Sequence, residues 1–170
     1  MVADMIEPSK CHADIGCDHG FMALYLINNQ IIEHAICTDI NEGPLQRAKE
    51  HIEAEGYSEK IDVLLSDGLH KINDSHPHIS SATICGMGGL MGVKIMYDRE
   101  DLFKKMDYIY LQLQSDLELV RMYLDIAGYD IVTENIVNEE GKYYTAMKVK
   151  PNGKEAIVCD SLDELVIVLR

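Results

Sequence analysis

The sequence lacks the features of a membrane or exported protein. No apolar stretch approaches the roughly 20 residues that a membrane-spanning helix requires, and residues 1–5 lack the charged-then-apolar pattern of a signal peptide. The five cysteines form an odd count without a C-x-x-C pair, and most lie in apolar runs, where cysteine behaves as a small hydrophobe. We therefore expect a soluble protein in a reducing, cytoplasmic compartment.

Basic residues are scarce in this chain. Fifteen Lys and Arg stand against 29 Asp and Glu, which gives a net charge of −14, so the average surface repels phosphate. A nucleic-acid partner would need a local basic patch or a helper. The sequence also shows no repeat, linker or low-complexity tract, and 170 residues of 47% hydrophobic composition favour a single domain with one sizeable core.

Short apolar runs alternate with longer amphipathic segments. The runs predict five strands, at residues 12–15, 34–38, 61–65, 81–85 and 108–113. The intervening segments predict helices, at residues 21–29, 42–56 and 115–128. Residues 129–137 and 143–150, joined by a turn at 138–142, predict a β-hairpin. This order predicts a doubly wound α/β fold, with a seven-stranded, mostly parallel sheet and helices on both faces.

Glycine and acidic residues mark the turn after the first predicted strand. Asp14, Gly16, Asp18 and His19 lie where this strand ends and a helix begins, and glycine there lets the backbone approach a ligand that faces the helix N–H groups. The segment predicts a nucleoside-cofactor site, although a tight turn chosen for packing is the alternative. It lacks the G-x-G-x-x-G fingerprint, which disfavours a nicotinamide enzyme.

Two further carboxylates follow the next two predicted strands. Asp39 lies 23 residues after Gly16, a spacing that suits hydrogen bonds to a ribose diol, unless it caps the following helix. Asp67 and Gly68 follow the third strand, where the carboxylate can accept a hydrogen bond from an adenine amine, unless the pair forms an ordinary turn. With Asp14, these carboxylates converge on the crevice where open α/β sheets bind ligands.

Glycines also end the fourth predicted strand. The turn consists of Gly86, Met87, Gly88 and Gly89. Its backbone lines a gap through which a flat substrate ring could reach the cofactor, or the glycines serve only tight helix packing.

Among the histidines, His19 is a candidate for acid–base chemistry, with packing or capping as the alternative. The remaining loop histidines have no recognisable ligand spacing, and we expect no metal site: they are His70, His76 and His78.

These segments resemble the bacterial tRNA (adenine(22)-N1)-methyltransferase family, TrmK, over about residues 11–150. The resemblance is carried by residues 13–19, by Glu42-Gly43-Pro44, by Asp67-Gly68-Leu69 and by Gly86-Met87-Gly88-Gly89. It implies a Rossmann-like class I methyltransferase domain at residues 1–150, with S-adenosyl-L-methionine as cofactor and tRNA as partner. The implied cofactor contacts are Asp14, Gly16, Asp18, His19, Asp39, Asp67, Gly68 and Gly86.

The resemblance further implies methylation of N1 of adenine 22. Methylation makes the base cationic, so Asp18 is a candidate to stabilise the developing charge, with His19 orienting it. Gly86 and Met87 would lie beside the methyl group, and the base would be extruded from paired tRNA to reach them. Because alignment matters more than deprotonation, positioning should supply most of the rate.

The chain departs from the family at its two ends. Family members carry a C-terminal helical domain, and we expect a tail at residues 151–170 without that domain, because residues 154–170 show no sustained heptads. Residues 161–164 open either a short capped helix or a strand. We also expect residues 1–10, which precede the first predicted strand, to lack the short N-terminal helix, often with basic residues, that family members carry. Two alternatives therefore stay open: methylation of a small molecule or protein, and a non-catalytic module that binds S-adenosylmethionine.

Overall fold

Strands alternate with helices along the chain in the computed structural model, which describes residues 1–154 and 161–168. The strands are β1 (Ser9–Ile15), β2 (Ile32–Asp39), β3 (Ile61–Leu65), β4 (Ser81–Met87), β5 (Tyr108–Leu113), β6 (Tyr129–Glu139) and β7 (Lys142–Pro151). The helices are α1 (Phe21–Asn28), α2 (Glu42–Ala54), α3 (Gly89–Asp98), α4 (Glu100–Phe103), α5 (Leu117–Ile126) and α6 (Leu162–Val168), preceded by a 3₁₀ turn at Ala3–Met5.

All seven strands form one sheet in the order β3-β2-β1-β4-β5-β7-β6. Strands β1 to β5 are parallel, whereas β7 is antiparallel to both β5 and β6. The chain moves outward from β1 to β3 and then crosses back to place β4 on the other side of β1. The carboxyl ends of β1 and β4 therefore form the topological switch point, where open α/β sheets bind ligands. The predicted mostly parallel sheet with a terminal hairpin is confirmed.

Two apolar clusters cover the two faces of the sheet. One cluster includes residues of α1 and α2, and the other includes residues of α3, α4, α5 and α6. Successive strand residues point to opposite faces, and Ala13 and Ile15 belong to the second cluster. His12 and Asp14 therefore face the layer of α1 and α2. The predicted helices on both faces are confirmed.

Some boundaries differ from the predicted ones. Strand β1 begins at Ser9, which pairs with Ile32, and β4 continues to Met87 through a bulge between Cys85 and Met87, because a glycine permits the local bend. The glycine segment is therefore partly strand. The hairpin turn is tighter than the predicted segment 138–142, since Glu140 and Gly141 both have positive φ and β7 resumes at once, as in a two-residue I′ turn.

The C-terminal segment contains a helix. Ser161 Oγ accepts a hydrogen bond from the Glu164 N–H at 3.2 Å, which is the N-cap geometry expected of serine. Of the two alternatives for residues 161–164, the helix is thus right. The rest of the predicted tail, residues 155–160 and 169–170, lies outside the described residues. Within the described ranges, no helix has the length and apolar character needed to cross a membrane.

Candidate functional site

The glycine turn after β1 bends over the end of β2. The N–H groups of Gly16 and Cys17 both donate to the Thr38 carbonyl, at 2.8 and 3.0 Å. Gly16 has a φ of 74°, a left-handed conformation that favours glycine. A Cβ at Gly16 would also overlap the Cε methyl of Met87. The end of β4 therefore lies directly over this turn, and two of the predicted segments meet there.

Asp14 is a buried carboxylate at the end of β1, 5% exposed. The Thr83 hydroxyl donates to Oδ1 at 3.0 Å, while Oδ2 has no hydrogen-bond partner among the described residues. Burial raises the pKa of Asp14 to about 6, with a further rise from the charge of Asp39, against the opposing effects of the Thr83 hydroxyl and the Ala23 N–H. A buried acceptor with one free oxygen suits a cationic ligand group.

Asp39 is held by backbone amides at the end of β2. Its Oδ2 accepts from the Asp18 N–H at 3.3 Å and its Oδ1 from the Asn41 N–H at 2.9 Å. Each carboxylate oxygen keeps a further lone pair for a ligand hydroxyl. Helix α2 begins after Asn41 without a side-chain cap, so Asp39 orders the turn before α2 but does not occupy the N-cap position.

Asp67 and Gly68 follow β3, beside the end of β2. The Ser66 N–H donates to the Asp39 carbonyl at 2.9 Å, which joins this loop to the Asp39 turn. Asp67 is half-exposed, and its Oδ2 lies 3.6 Å from Lys94 Nζ. A Cβ at Gly68 would press on the Ile95 side chain at 3.2 Å. Gly68 thus packs against α3, while Asp67 borders the crevice and shares a lysine.

Asp98, at the end of α3, is a partly buried carboxylate. Its side chain is only 22% exposed. It accepts from Lys94 Nζ at 2.5 Å and pairs with His70 at 3.2 Å. Lys94 thus links Asp98 to the half-exposed Asp67. These contacts hold α3 against the loop after β3.

An exposed aromatic shelf extends from the glycine turn. The rings of His19 and Phe21 stack with centroids 5.5 Å apart, and those of Phe21 and His51 at 5.0 Å. His51 Nδ1 donates to the His19 carbonyl at 3.1 Å, which fixes its ring, and Phe21 remains 63% exposed. Asp18 Oδ2 lies 3.5 Å from His19 Nε2, so the predicted Asp18–His19 pair stands at the edge of this shelf.

Sequence reasoning missed Phe21 and His51 as surface aromatics. Phe21 entered the prediction only as the first residue of the helix at residues 21–29, and His51 was not singled out. The available signal was the position of Phe21, directly after the glycine turn and at the start of the predicted helix.

The glycine segment after β4 divides into two parts. Gly86, with a φ of 75°, has no atom within 4 Å of the position that a Cβ would occupy, whereas a Cβ at Gly89 would overlap the Ser115 carbonyl. Gly86 therefore borders open space and Gly89 packs. The Gly86 N–H donates to Gln112 Oε1 at 3.2 Å, while Gln112 Nε2 is buried without a partner among the described residues. Gln112, at the end of β5, was also missed.

The comparison with protein families identifies this architecture. A family model described as "Methyltransferase domain" matches residues 1–147. The chain belongs to this family of methyltransferase domains. The strand order, the terminal hairpin and the crevice at the end of β1 are thus those of a methyltransferase domain.

Individual relatives agree with this membership. The tRNA (adenine(22)-N(1))-methyltransferase of Bacillus subtilis (strain 168) is 30% identical over 155 residues, which are 91% of this chain and 64% of the relative. The structure of M. capricolum TrmK in complex with S-adenosyl-homocysteine has a TM-score of 0.82 at 28% identity, over 95% of this chain and 70% of that one. Streptococcus pneumoniae Sp1610 in complex with S-adenosyl-L-methionine has a TM-score of 0.84 at 29% identity, over 94% and 73%.

These similarities confirm the resemblance to the TrmK family that the motifs predict. The chain spans 64% of the length of the Bacillus subtilis relative.

Buried polar atoms without partners mark the crevice of this methyltransferase domain. Four of them follow or end strands β1, β2 and β5 at the carboxyl edge of the sheet: Asp14 Oδ2, His19 Nδ1, Thr38 Oγ1 and Gln112 Nε2. Buried polar atoms in native proteins are normally hydrogen-bonded, so such a group calls for a partner. Of these atoms, Asp14 Oδ2 is a carboxylate oxygen that suits a cationic ligand group, whereas Thr38 pairs with Ile15 and therefore faces the other layer of helices.

The opposite edge of the sheet lacks comparable chemistry. A hollow of about 600 Å³ there is lined by residues that include Lys10, His34 and His78, but none of the unpartnered buried atoms in the described residues lies among its lining. No group of three or more His, Cys, Asp or Glu side chains within the described ranges could hold a metal ion. The carboxyl edge is therefore the candidate functional site.

Proposed function

We propose that this chain is the cofactor-binding and catalytic part of an S-adenosylmethionine-dependent tRNA (adenine-N1)-methyltransferase that acts on adenine 22. The observation that carries the proposal is the buried, unpartnered Oδ2 of Asp14 beside the Gly16 turn, with the Asp39 carboxylate at the end of the adjacent strand β2. It supports a ligand with hydroxyl, amino and cationic groups. The similarity to tRNA (adenine(22)-N(1))-methyltransferase supports the choice of substrate.

The acidic residues at the crevice fit the parts of this cofactor. S-adenosylmethionine, when bound, supplies a methyl group on a sulfonium for attack by a ring-nitrogen lone pair. Oδ2 of Asp14 would accept from the cationic amino group. The remaining lone pairs of Asp39 would accept from the ribose hydroxyls, and Asp67 from the adenine amine. We propose Gly16, Gly68 and Gly86 as the backbone that borders the cofactor.

The aromatic shelf would receive the target base. The Phe21 side chain is largely exposed and stacks on His51, and stacking on an aromatic ring stabilises a base taken out of paired RNA. Asp18 stands next to the shelf and would stabilise the positive charge that develops on the base, with His19 as its partner. Because Asp18 is 63% exposed, solvent screens its charge, so positioning outweighs this electrostatic contribution. Met87, which covers the Gly16 turn, would border the methyl group.

Methyl transfer to tRNA tests the proposal directly. The protein is incubated with labelled S-adenosylmethionine and unmodified tRNA, and N1-methyladenosine is mapped along the product. We expect label at adenine 22, and none in a matched tRNA that carries guanine at that position. Cofactor binding without transfer to any tRNA would contradict the proposal. Asp18→Ala with full methylation and normal cofactor affinity would remove the role of Asp18 alone.

One observation favours a second candidate, methylation of a small molecule or a protein. The net charge of −14 opposes a polyphosphate substrate. Transfer of label to a peptide or metabolite pool, with none to tRNA, would support it. With tRNA as the proposed substrate, we also propose that the protein acts in the cytoplasm.

A further inference from the structure

A row of polar side chains lies inside the sheet, beneath the candidate site. His12 and Asp14 on β1 face the layer of α1 and α2, and so do their β4 neighbours, because His12 pairs with Ser81 and Asp14 with Thr83. All four are buried, and His12 is 0% exposed. A continuous chain of contacts joins them: Ser9 Oγ to Ser81 Oγ at 3.0 Å, Ser81 Oγ to His12 Nδ1 at 2.8 Å, His12 Nε2 to Thr83 Oγ1 at 3.1 Å, and Thr83 Oγ1 to Asp14 Oδ1 at 3.0 Å.

The chemistry of each group fixes which atom donates in every hydrogen bond of this row. A carboxylate only accepts, so the single Thr83 hydroxyl proton points to Asp14 Oδ1, and Thr83 Oγ1 must then accept from His12 Nε2–H. Burial lowers the pKa of His12 to about 3, so the imidazole is neutral and Nδ1 accepts from the Ser81 hydroxyl. Every donor between Ser9 and Thr83 therefore points toward Asp14.

The other groups that face Asp14 do not compensate its charge. On β2, a hydrogen bond to Cys17 and burial raise the pKa of the Cys37 thiol, and on β4 burial raises the pKa of the Cys85 thiol to about 12. Both thiols stay neutral. Asp39 repels the Asp14 charge, and from α1 only the Ala23 N–H favours it. The Thr83 hydroxyl is thus the one side-chain donor to the Asp14 carboxylate among the described residues.

We propose that His12 is a positioning residue for Asp14: acting through Thr83, it commits Oδ1 to a hydrogen bond inside the sheet and leaves Oδ2 as the charged acceptor for the cationic end of the cofactor. The proposal rests on the proposed cofactor function of this site. A donated His12 N–H polarises the Thr83 hydroxyl, which strengthens its bond to the carboxylate. His12 itself touches neither cofactor nor substrate.

The pH dependence of cofactor-product binding measures this effect. Affinity for S-adenosylhomocysteine, measured by calorimetry from pH 5 to 8, should fall as Asp14 becomes protonated, because the ligand amino group stays cationic throughout. Thr83→Val should raise the midpoint of that profile by about one to two pH units, since hydrogen bonds to charged groups have this strength. Thr83→Ser should restore the original midpoint. Thr145→Val, at another buried threonine on β7, is the matched control and should leave it unchanged.

Variants of His12 test the route through Thr83. His12→Met removes both ring nitrogens and should raise the midpoint of the pH profile. His12→Gln keeps a donor near the Nε2 position, so its midpoint should lie close to that of the unaltered protein. The double variant His12→Met/Thr83→Val should have the midpoint of Thr83→Val alone, because residues that act in series are not additive. Additive shifts, or an unchanged midpoint in a folded His12→Met protein, would overturn the proposal.

The histidine tautomer supplies a test that needs no substitution. In the ¹⁵N NMR spectrum of the unaltered protein, His12 should be a neutral Nε2–H tautomer from pH 5 to 8. An Nδ1–H tautomer would overturn the proposal even if the variants do not fold. If the protein does not bind S-adenosylhomocysteine at any pH, the proposed cofactor function fails, while the tautomer still decides the direction of the hydrogen-bond chain.

Discussion

Replacement of Asp14 by Asn should stabilise the free protein while it weakens the cofactor site. Burial raises the pKa of Asp14 from its ordinary 3.8 to about 6, so the folded state holds this proton more tightly than the unfolded chain. Stability from this group is fully present below pH 3.8 and is lost as pH rises through 6. At about 1.4 kcal/mol per pKa unit, the charged carboxylate costs the folded protein about 3 kcal/mol above pH 7.

Urea unfolding of the two proteins at several pH values measures this cost. We expect Asp14→Asn to be more stable at pH 8 by about 1 to 3 kcal/mol, since the new amide NH₂ lies near the Ala23 N–H and loses part of the gain. The difference should shrink by roughly 1 kcal/mol at pH 5, where Asp14 is mostly protonated. Asp74→Asn, in an exposed loop, is the control. A pH-independent difference, or a loss of stability at pH 8, would refute the reasoning.

Three further predictions concern base stacking, glycine packing and tRNA affinity. Phe21→Ala should lower kcat/KM for tRNA by about 10- to 100-fold, the range of one lost base stack, with unchanged affinity for S-adenosylhomocysteine, and Phe21→Tyr should keep activity. Gly89→Ala should lower the free energy of unfolding by about 2 kcal/mol or more, because its Cβ would overlap the Ser115 carbonyl. Gly86→Ala should lower it by only about 1 kcal/mol, because alanine disfavours the left-handed φ at this position. Thermal unfolding of the two variants measures the difference. Affinity for tRNA should fall steeply between about 50 and 200 mM salt; a flat response would favour an uncharged substrate.

The sheet could be predicted because its signals are local. Each buried strand is a short apolar run, and the terminal hairpin follows from two extended runs with a glycine turn, so the number of strands and their mostly parallel arrangement needed only the rules of α/β folds. Strand ends could not be predicted in the same way. The bulge that carries β4 through Gly86 to Met87 depends on pairing with β5, and no local residue pattern shows where such pairing stops.

The candidate site was predictable where backbone geometry defines it. Gly16 and Asp39 lie at the ends of adjacent strands, so topology alone brings them together. Phe21 and Gln112 could not be found in the same way. Their roles depend on what remains uncovered: Phe21 is exposed beside the turn, and the Gln112 amide is buried without a partner. Exposure and hydrogen-bond satisfaction are properties of the packed structure and not of residue type.

The buried polar row accounts for how a carboxylate can remain charged inside this sheet. Without a hydrogen-bond donor, the buried Asp14 carboxyl would keep its proton up to a higher pH, because burial favours the neutral form. The hydrogen bond from Thr83 opposes that tendency, and His12 can support Thr83 only because strand register places both rows of side chains on the same face. Histidine two residues before the aspartate is therefore informative only together with Ser81 and Thr83, which lie about 70 residues away in the chain. If the register paired His12 with an apolar residue, the same sequence segment would bury an unsatisfied imidazole at a cost of about 1 to 3 kcal/mol.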